Sequence, residues 1–235
     1  MNAQFTNDLT KFESEYLKHN PLSYWLKVPL SHAHLLPVVG QHGYVYHNAE
    51  GQVATLLKWL PRDADCAVPP FATHQIGVGG LVLNGKGEML AVKDRNGLIS
   101  TWKLPGGLAG VGEELGETAE REVREETGVV ASFQALIGFR HQHGMAWGRS
   151  DIYFICRLQA LTENIVIDPK EISAAEWMSI ERFLTEANPN SMIHFLLRRL
   201  RTAPSHSLDI SELTLPSIVH QDRTYRLYFN DSINN

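Results

Sequence analysis

Cysteine is scarce: Cys66 and Cys156 are the only two, far apart in the chain and at no metal-ligand spacing. That scarcity argues against a disulfide scaffold or a cysteine-held zinc site, and it points to reduced thiols in a cytoplasmic protein. Long apolar runs are missing as well, and none approaches the ~20 residues of a membrane span. The opening MNAQFTNDLTKFESEYLKHN lacks the charged start and apolar run of a signal peptide. The expectation is a soluble, cytoplasmic protein with no membrane partner. There is no basic block either: 21 Lys and Arg stand against 26 Asp and Glu, a net charge of −5. This disfavours an extended nucleic-acid surface. It leaves phosphorylated substrates open, since those need only a local cation or metal. Internal repeats and low-complexity tracts are absent.

What is present is enough to fold. With 235 residues, 43% of them hydrophobic, the chain can bury a core as one domain plus an appendage or as two small ones. Phe5, Leu9, Phe12 and Tyr16 recur at helical intervals and predict an amphipathic first helix. YWLKVPL (24–30) suggests a strand, SHAHLLPVVGQHG (31–43) a helix or turn ended by glycine, and YVYHN with QVATLLKWLP a hairpin. RDADCAVPPFATH (62–74) has the composition of a linker. QIGVGGLVLN and EMLAVKD then suggest strands split by a turn, with TWKLPGG a short strand ending in glycines. FQALIGFRHQH, DIYFICRLQA and AAEWMSI suggest further strands, and MIHFLLRRLR an amphipathic helix. The expected organisation is a small N-terminal α+β unit over 1–70, a main domain over 71–203 and a tail over 204–235. Mixed strands between helices place the fold in the α/β or α+β class.

One stretch is unusual. REVREETG (121–128) packs Glu122, Glu125 and Glu126 into one arc of a helix, where like charges repel. Gly106 and Gly107 precede it, allowing a sharp turn and a close approach to the backbone. Leu115, Ala119, Val123 and Val130 form the expected core stripe, and Gly128 suits the C-terminal cap. Arg121 lies four residues before Glu125 and within reach of Glu113, but one arginine cannot neutralise three carboxylates. Taken alone, the carboxylates fit a solvated, salt-laced helix. Beside an exposed carbonyl and a glycine turn they equally fit a platform for Mg²⁺, a cation that takes oxygen ligands.

The intervals decide between these readings. Gly107, five residues, Glu113, seven residues, then Arg121-Glu122-Val123-x-Glu125-Glu126-x-Gly128-Val129 resembles the Nudix box at all nine of its positions over 23 residues. WLKVP, GYVYHNAE, LLKWLP, THQIGVGG, TWKLPGG, GFRHQH, GRSDIYFICRL and KEISAAEWM extend the likeness over roughly 24–184. They resemble a subgroup of the family containing plant cytosolic Nudix hydrolases and a vertebrate Nudix protein encoded antisense to basic fibroblast growth factor. The resemblance implies a Nudix α/β/α sandwich with a mixed sheet, preceded by the subgroup's small N-terminal unit. It also implies Mg²⁺- or Mn²⁺-dependent hydrolysis of a nucleoside diphosphate linked to another moiety, such as ADP-ribose or NADH. By the same resemblance, Glu122, Glu125, Glu126 and the Gly106 carbonyl bind metal, while Arg121 and Glu113 hold the carboxylates in place. Glu122 and Glu171 are the two candidates for general base.

Substrate contacts must come from outside the box. Arg140, His143 and Arg149 are candidates for phosphate binding, with an Arg149–Asp151 loop pair as the plainer alternative. Trp102 and Trp147 are expected in core or dimer packing rather than in base stacking. His32, His34, His42 and His47 show no metal spacing. Two other functions stay open: an RNA-cap or nucleotide-sanitising hydrolase, and a Nudix-fold nucleotide sensor. A homodimer formed through WLKV and VATLLKWL is a further expectation, although burial within one chain explains those strands equally well.

Overall fold

A computed structural model describes residues 2–96, 101–189, 191–200, 209–216 and 224–229. The chain divides into two compact units, Met1–Thr73 and His74–Asn235.

In the first unit, helix α1 (Asn2–Tyr16) and short helix α2 (Leu36–Gln41) accompany strands β1 (Ser23–Pro29), β2 (Val45–Glu50) and β3 (Val53–Trp59). These strands form an antiparallel sheet in the order β1-β3-β2. Leu9, Tyr24, Val28, Val39, Tyr44 and Leu56 make its core. The stripe expected on α1 is only half used, because Leu9 is buried while Tyr16 is exposed and stacks on Phe12 at 4.5 Å.

The second unit is built on a mixed sheet. Its strands are β4 (His74–Leu83), β5 (Met89–Asp94), β6 (Gly106–Leu108), β7 (Ala131–Gln142), β8 (Ser150–Ala160) and β9 (Ile172–Met178). The order is β7-β8-β4-β5-β9, with β6 paired to β4. β4 and β8 run parallel; the other pairings are antiparallel. Alternation with period two assigns side chains to the faces. Val78, Val82, Leu90, Leu136, Cys156 and Leu158 pack with Ala119 and Val123 of α3 (Leu115–Thr127). Leu81, Met89, Ala91, Ile137 and Ile155 pack on the other face, against Phe183 of α4 (Ile180–Glu186) and Ile193 and Leu197 of α5 (Met192–Leu200). The result is the α/β/α sandwich.

Two local features position the site. β4 and β5 meet at Leu83 and Met89, next to their turn, and then separate to admit the segment that follows them. Lys103 bridges to Val92 of β5, while Pro105 accepts the Gly80 N–H and β6 pairs with β4. The chain 103–108 is thus a wedge inside the sheet. Secondly, α3 stops at Gly128, whose φ of +70° suits glycine and whose N–H closes on the Arg124 carbonyl at 2.8 Å. The helix ends at the expected cap, but the expected stripe is corrected beyond it: Val129 takes the buried position, and Val130 is exposed.

The tail contributes β10 (Ser211–Pro216) and β11 (Thr224–Phe229), a two-stranded sheet. It is tied to the second unit by an Ile210–Leu136 bridge and an Arg157–Asp209 ion pair of 2.6 Å. The intervening 217–223 lie outside the described residues.

The packing of α5 is directly testable. Leu197 is fully buried, whereas Phe195 on the same helix is exposed. Leu197→Ala should cost about 2–5 kcal/mol of unfolding free energy, and Phe195→Ala no more than ~0.5 kcal/mol. Equal losses in urea unfolding would contradict this packing.

Candidate active site

The wedge and α3 bring the acidic groups together. Arg121 is their hub. Its Nε and Nη2 grip Glu113 at 2.6 and 2.9 Å, its Nη1 reaches Glu122 and Glu125 at 2.8 Å each, and Nη2 also donates to the Leu108 carbonyl at 3.2 Å. The two-pronged hold on Glu113 is the planar geometry that guanidinium favours. Hydrogen bonds from Arg121, followed by the Gly110 N–H, hold the Glu113 carboxyl down at about 2. The same pairing with Glu113 raises Arg121 itself.

Glu126 lies apart from that hub. It is 4% exposed, accepts the Gly106 N–H at 3.1 Å and stands 3.9 Å from Lys103 Nζ. Burial pushes its carboxyl up to about 7, against the pull of Lys103 and of the Gly106 N–H. Lys103 is shared with Asp94, its nearer partner at 2.7 Å. Among the described residues, Asp94, Glu113, Glu122, Glu125 and Glu126 thus face two paired cations, Arg121 and Lys103.

The glycines make this crowding sterically feasible. A Cβ on Gly106 would fall on the Val78 carbonyl oxygen and 2.8 Å from the Gly79 Cα, and one on Gly107 would lie 2.6 Å from the Glu122 carboxyl. Gly106 meets backbone and admits no side chain, whereas a side chain at Gly107 would have to displace the Glu122 carboxylate. Ladder bonds from Ala109 to Ile76 and from Gly80 to Pro105 leave Gly106 opposite Gly79 in the non-hydrogen-bonded alternate. Its N–H and C=O therefore point away from β4. The N–H goes to Glu126, and the carbonyl is left on the side of the carboxylates.

The donors available to a cation are hard oxygens, which suits Mg²⁺ or Mn²⁺. Among the described residues no three His, Cys, Asp or Glu side chains are already gathered round one point. Glu122 and Glu125 are drawn to Arg121 instead. The donor chemistry fits a divalent cation, provided those two carboxylates give up their shared Nη1 contact.

The remaining candidates are scattered. Glu171 is exposed and joins no ion pair among the described residues. Its backbone, however, accepts the Arg95 N–H at 2.7 Å and leads into β9 beside Asp94. Asp151 pairs with Arg140, at 2.7 Å, in place of the Arg149–Asp151 loop pair that was the plainer alternative. Arg140 also lies over the Tyr153 ring and lines a cavity of about 220 Å³ with Lys103, Leu104, Tyr153 and the start of α5. Its Nε is buried without a hydrogen-bond partner among the described residues. Arg149 lines a different cavity, of about 730 Å³, and His143 is held to Ser150 Oγ at 2.8 Å. The structure thus does not bring Arg140, His143 and Arg149 into one cluster. Trp102 is buried, with its indole N–H on Glu186, whereas Trp147 is 84% exposed rather than packed within the chain. Asp94 was not singled out from the sequence. The only signal was a strand, EMLAVKD, ending abruptly in charge.

The NUDIX domain family model matches residues 73–198, and a Nudix hydrolase domain model matches 1–60. The chain belongs to the Nudix hydrolase family. Nudix hydrolase 8 of Arabidopsis thaliana is 38% identical over 185 residues, 77% of this chain and 50% of that protein. Nucleoside diphosphate-linked moiety X motif 6 of Xenopus laevis is 37% identical over 203 residues, 84% of this chain and 93% of that one. These plant and vertebrate relatives are those of the subgroup the sequence resembles. The chain spans about half the length of the Arabidopsis relative. A crystal structure of a MutT protein from Methanosarcina mazei Go1 aligns at 23% identity over 57% of this chain and 97% of that one, with a TM-score of 0.48.

The Arg121 fork makes two predictions. Arg121→Lys keeps the charge but loses the paired geometry, and should cost about 1–3 kcal/mol in urea unfolding. Because the Glu113 carboxyl lies below its ordinary 4.5 in the folded protein, its contribution is complete above that pH and is lost as pH falls towards about 2. Glu113→Gln should therefore flatten that part of the acid limb. An unchanged limb would mean that the fork contributes nothing.

Proposed function

We propose that this Nudix protein hydrolyses the pyrophosphate linkage of a nucleoside diphosphate joined to another moiety, ADP-ribose, NADH or a similar dinucleotide, with Mg²⁺ or Mn²⁺. The observation that carries this reading is the complete carboxylate set of α3 beside a glycine turn in which backbone closes Gly106 to any side chain and the Glu122 carboxylate occupies the space over Gly107. A protein kept only for sensing has no need of that self-repulsion. The absence of a basic tract counts against an RNA-cap substrate.

Glu122, Glu125, Glu126 and the Gly106 carbonyl would hold the cation. When bound, it screens the phosphate charge and lowers the pKa of water. The chain's own groups do the rest. Arg121 and Glu113 keep the carboxylates aligned, and Glu122 or Glu171 accepts the proton of the attacking water. That water's oxygen ends on one phosphorus as the bridging P–O bond breaks. For ADP-ribose the products are AMP and ribose 5-phosphate. Arg140, with an unpaired Nε beside Lys103, is the best supported of the three substrate candidates for gripping phosphate. His143 and Arg149 would act farther out, towards the group attached to the diphosphate.

This reading assigns catalysis to 71–203, with 1–70 as an appended unit and 204–235 as a tail. It places the enzyme in the cytoplasm, in keeping with the unpaired thiols of Cys66 and Cys156; no helix among the described residues is long and apolar enough to cross a membrane. Homodimerisation through the N-terminal unit is part of the same proposal, and light scattering at micromolar concentration would test it.

A nucleotide panel with Mg²⁺ and Mn²⁺, run in ¹⁸O-water, tests the chemistry. At least one dinucleotide should turn over, with label in a single phosphate product. Glu125→Gln should lower kcat by at least about 100-fold, and Glu171→Gln by more than twofold. A kcat unchanged in Glu171→Gln would leave Glu122 as the base. Tight binding of a panel member without any turnover would favour a sensor.

A further inference from the structure

We propose that His74 and His141, completed by His143, form a second metal site, for a borderline transition dication such as Zn²⁺ or Ni²⁺. The strand order is β7-β8-β4, so His74 on β4 and His141 on β7 are separated by β8. Two strand spacings and an offset of two residues along β8 put their backbones roughly 11.5 Å apart. Register places His74 opposite Ser150 and His141 opposite Ile152. From these positions the two rings meet over β8, with Nε2 3 Å or less from Nε2: the separation is 2.9 Å, and the ring centroids are 5.0 Å apart.

Two imidazole nitrogens at that distance share one proton, because two N–H groups would collide. The pair is therefore a site where a cation can take the proton's place. Two metal–nitrogen bonds of ~2.0–2.1 Å span about 2.9 Å when they meet at a right angle and about 3.4 Å at a tetrahedral one. The observed spacing lies at the short end of that range, so opening by a few tenths of an ångström covers all of it. His143 supplies the third ligand. Its ring lies 4.5 Å from that of His141, and its Nδ1 is tied to Ser150 Oγ at 2.8 Å. A hydrogen bond on one ring nitrogen is what orients a histidine to coordinate through the other. The three donors do not yet converge on one point, so a modest swing of His143 closes the set.

Imidazole donors select differently from the carboxylates of α3. Nitrogen favours Zn²⁺, Ni²⁺ and Cu²⁺, whereas an all-oxygen set suits Mg²⁺ and Mn²⁺. Zn²⁺ and Ni²⁺ also outrank Mg²⁺ at an oxygen site, so excess Mg²⁺ and the carboxylate variants are needed to tell the two sites apart. His74 also lines the 730 Å³ cavity shared by Arg149, Leu108 and Glu113. An ion on the histidines would stand at that cavity's rim and tie the start of β4 to the end of β7.

The test uses the full chain in excess Mg²⁺, titrated with Zn²⁺ and Ni²⁺ by calorimetry, with Co²⁺ absorbance reporting nitrogen ligation. One equivalent should bind. His74→Gln and His141→Gln should each weaken it by at least about tenfold, and Glu122→Gln with Glu126→Gln should leave it unchanged. All three histidines are exposed, so the variants should fold, and circular dichroism verifies that. Absence of any Zn²⁺ equivalent in excess Mg²⁺ would overturn the proposal. So would an equivalent retained at full affinity when His74→Gln and His141→Gln are combined in one chain. Neither result bears on the nucleotide panel, so failure of this site and failure of the hydrolase reading are distinguishable.

Discussion

Electrostatic repulsion among the α3 carboxylates is the constraint around which the catalytic unit is arranged. Glu122, Glu125 and Glu126 share one arc of a thirteen-residue helix, an arrangement that costs helix stability wherever nothing positive intervenes. The fold answers with two devices. Arg121 spreads its guanidinium over Glu113, Glu122 and Glu125, while Lys103 comes in on the wedge between β4 and β5 to face Glu126 and Asp94. The compensation is incomplete, and Glu126, the most buried of the set, has a carboxyl that burial first, and then the charges of Asp94 and Glu122, push up to about 7. A divalent cation would finish the neutralisation that the protein leaves undone.

The backbone is subordinate to the same requirement. β4 and β5 separate so that residues 103–108 can enter the sheet, which puts Lys103 and Gly106 beside the helix together. The Val78 carbonyl leaves no room for a Cβ on Gly106, and one on Gly107 would push the Glu122 carboxyl from its place. Gly128 ends the helix on its left-handed cap, and from there Val166 and Asp168 hydrogen-bond back to the Thr127 and Glu126 carbonyls. That loop leads to Glu171, which explains how a carboxylate 45 positions after Glu126 in the chain arrives at the same end of the sheet.

How much of this was legible in the sequence depended on how local the cause was. The α3 carboxylates, Arg121 and the glycines were legible, because a helix with fixed intervals carries its own geometry. The strands were legible from apolar alternation, although their pairing was not. Arg140 sits opposite Tyr153 and reaches Asp151 on the diagonal, because two bulges, one near Phe133 and one near Leu136, shift β7 by two positions along β8. Alternation along either strand contains no sign of those bulges. Asp94 and Lys103 become neighbours through the wedge, a feature of the whole sheet. Val130 lies beyond the glycine cap, where helical spacing no longer assigns a face, and the turn at Gly128 buries Val129 instead. His74 and His141 meet across an intervening strand, a relation that no linear spacing encodes.

The central claim, that the acidic ridge exists to hold a divalent cation, is most directly tested by Mn²⁺ titration followed by electron paramagnetic resonance, with wild type compared to Glu122→Gln and Glu126→Gln. Wild type should sequester Mn²⁺ from the free-ion signal, with Mg²⁺ competing, and each variant should lose at least about tenfold in affinity. Uptake that is absent in wild type, or identical in all three proteins, would contradict it.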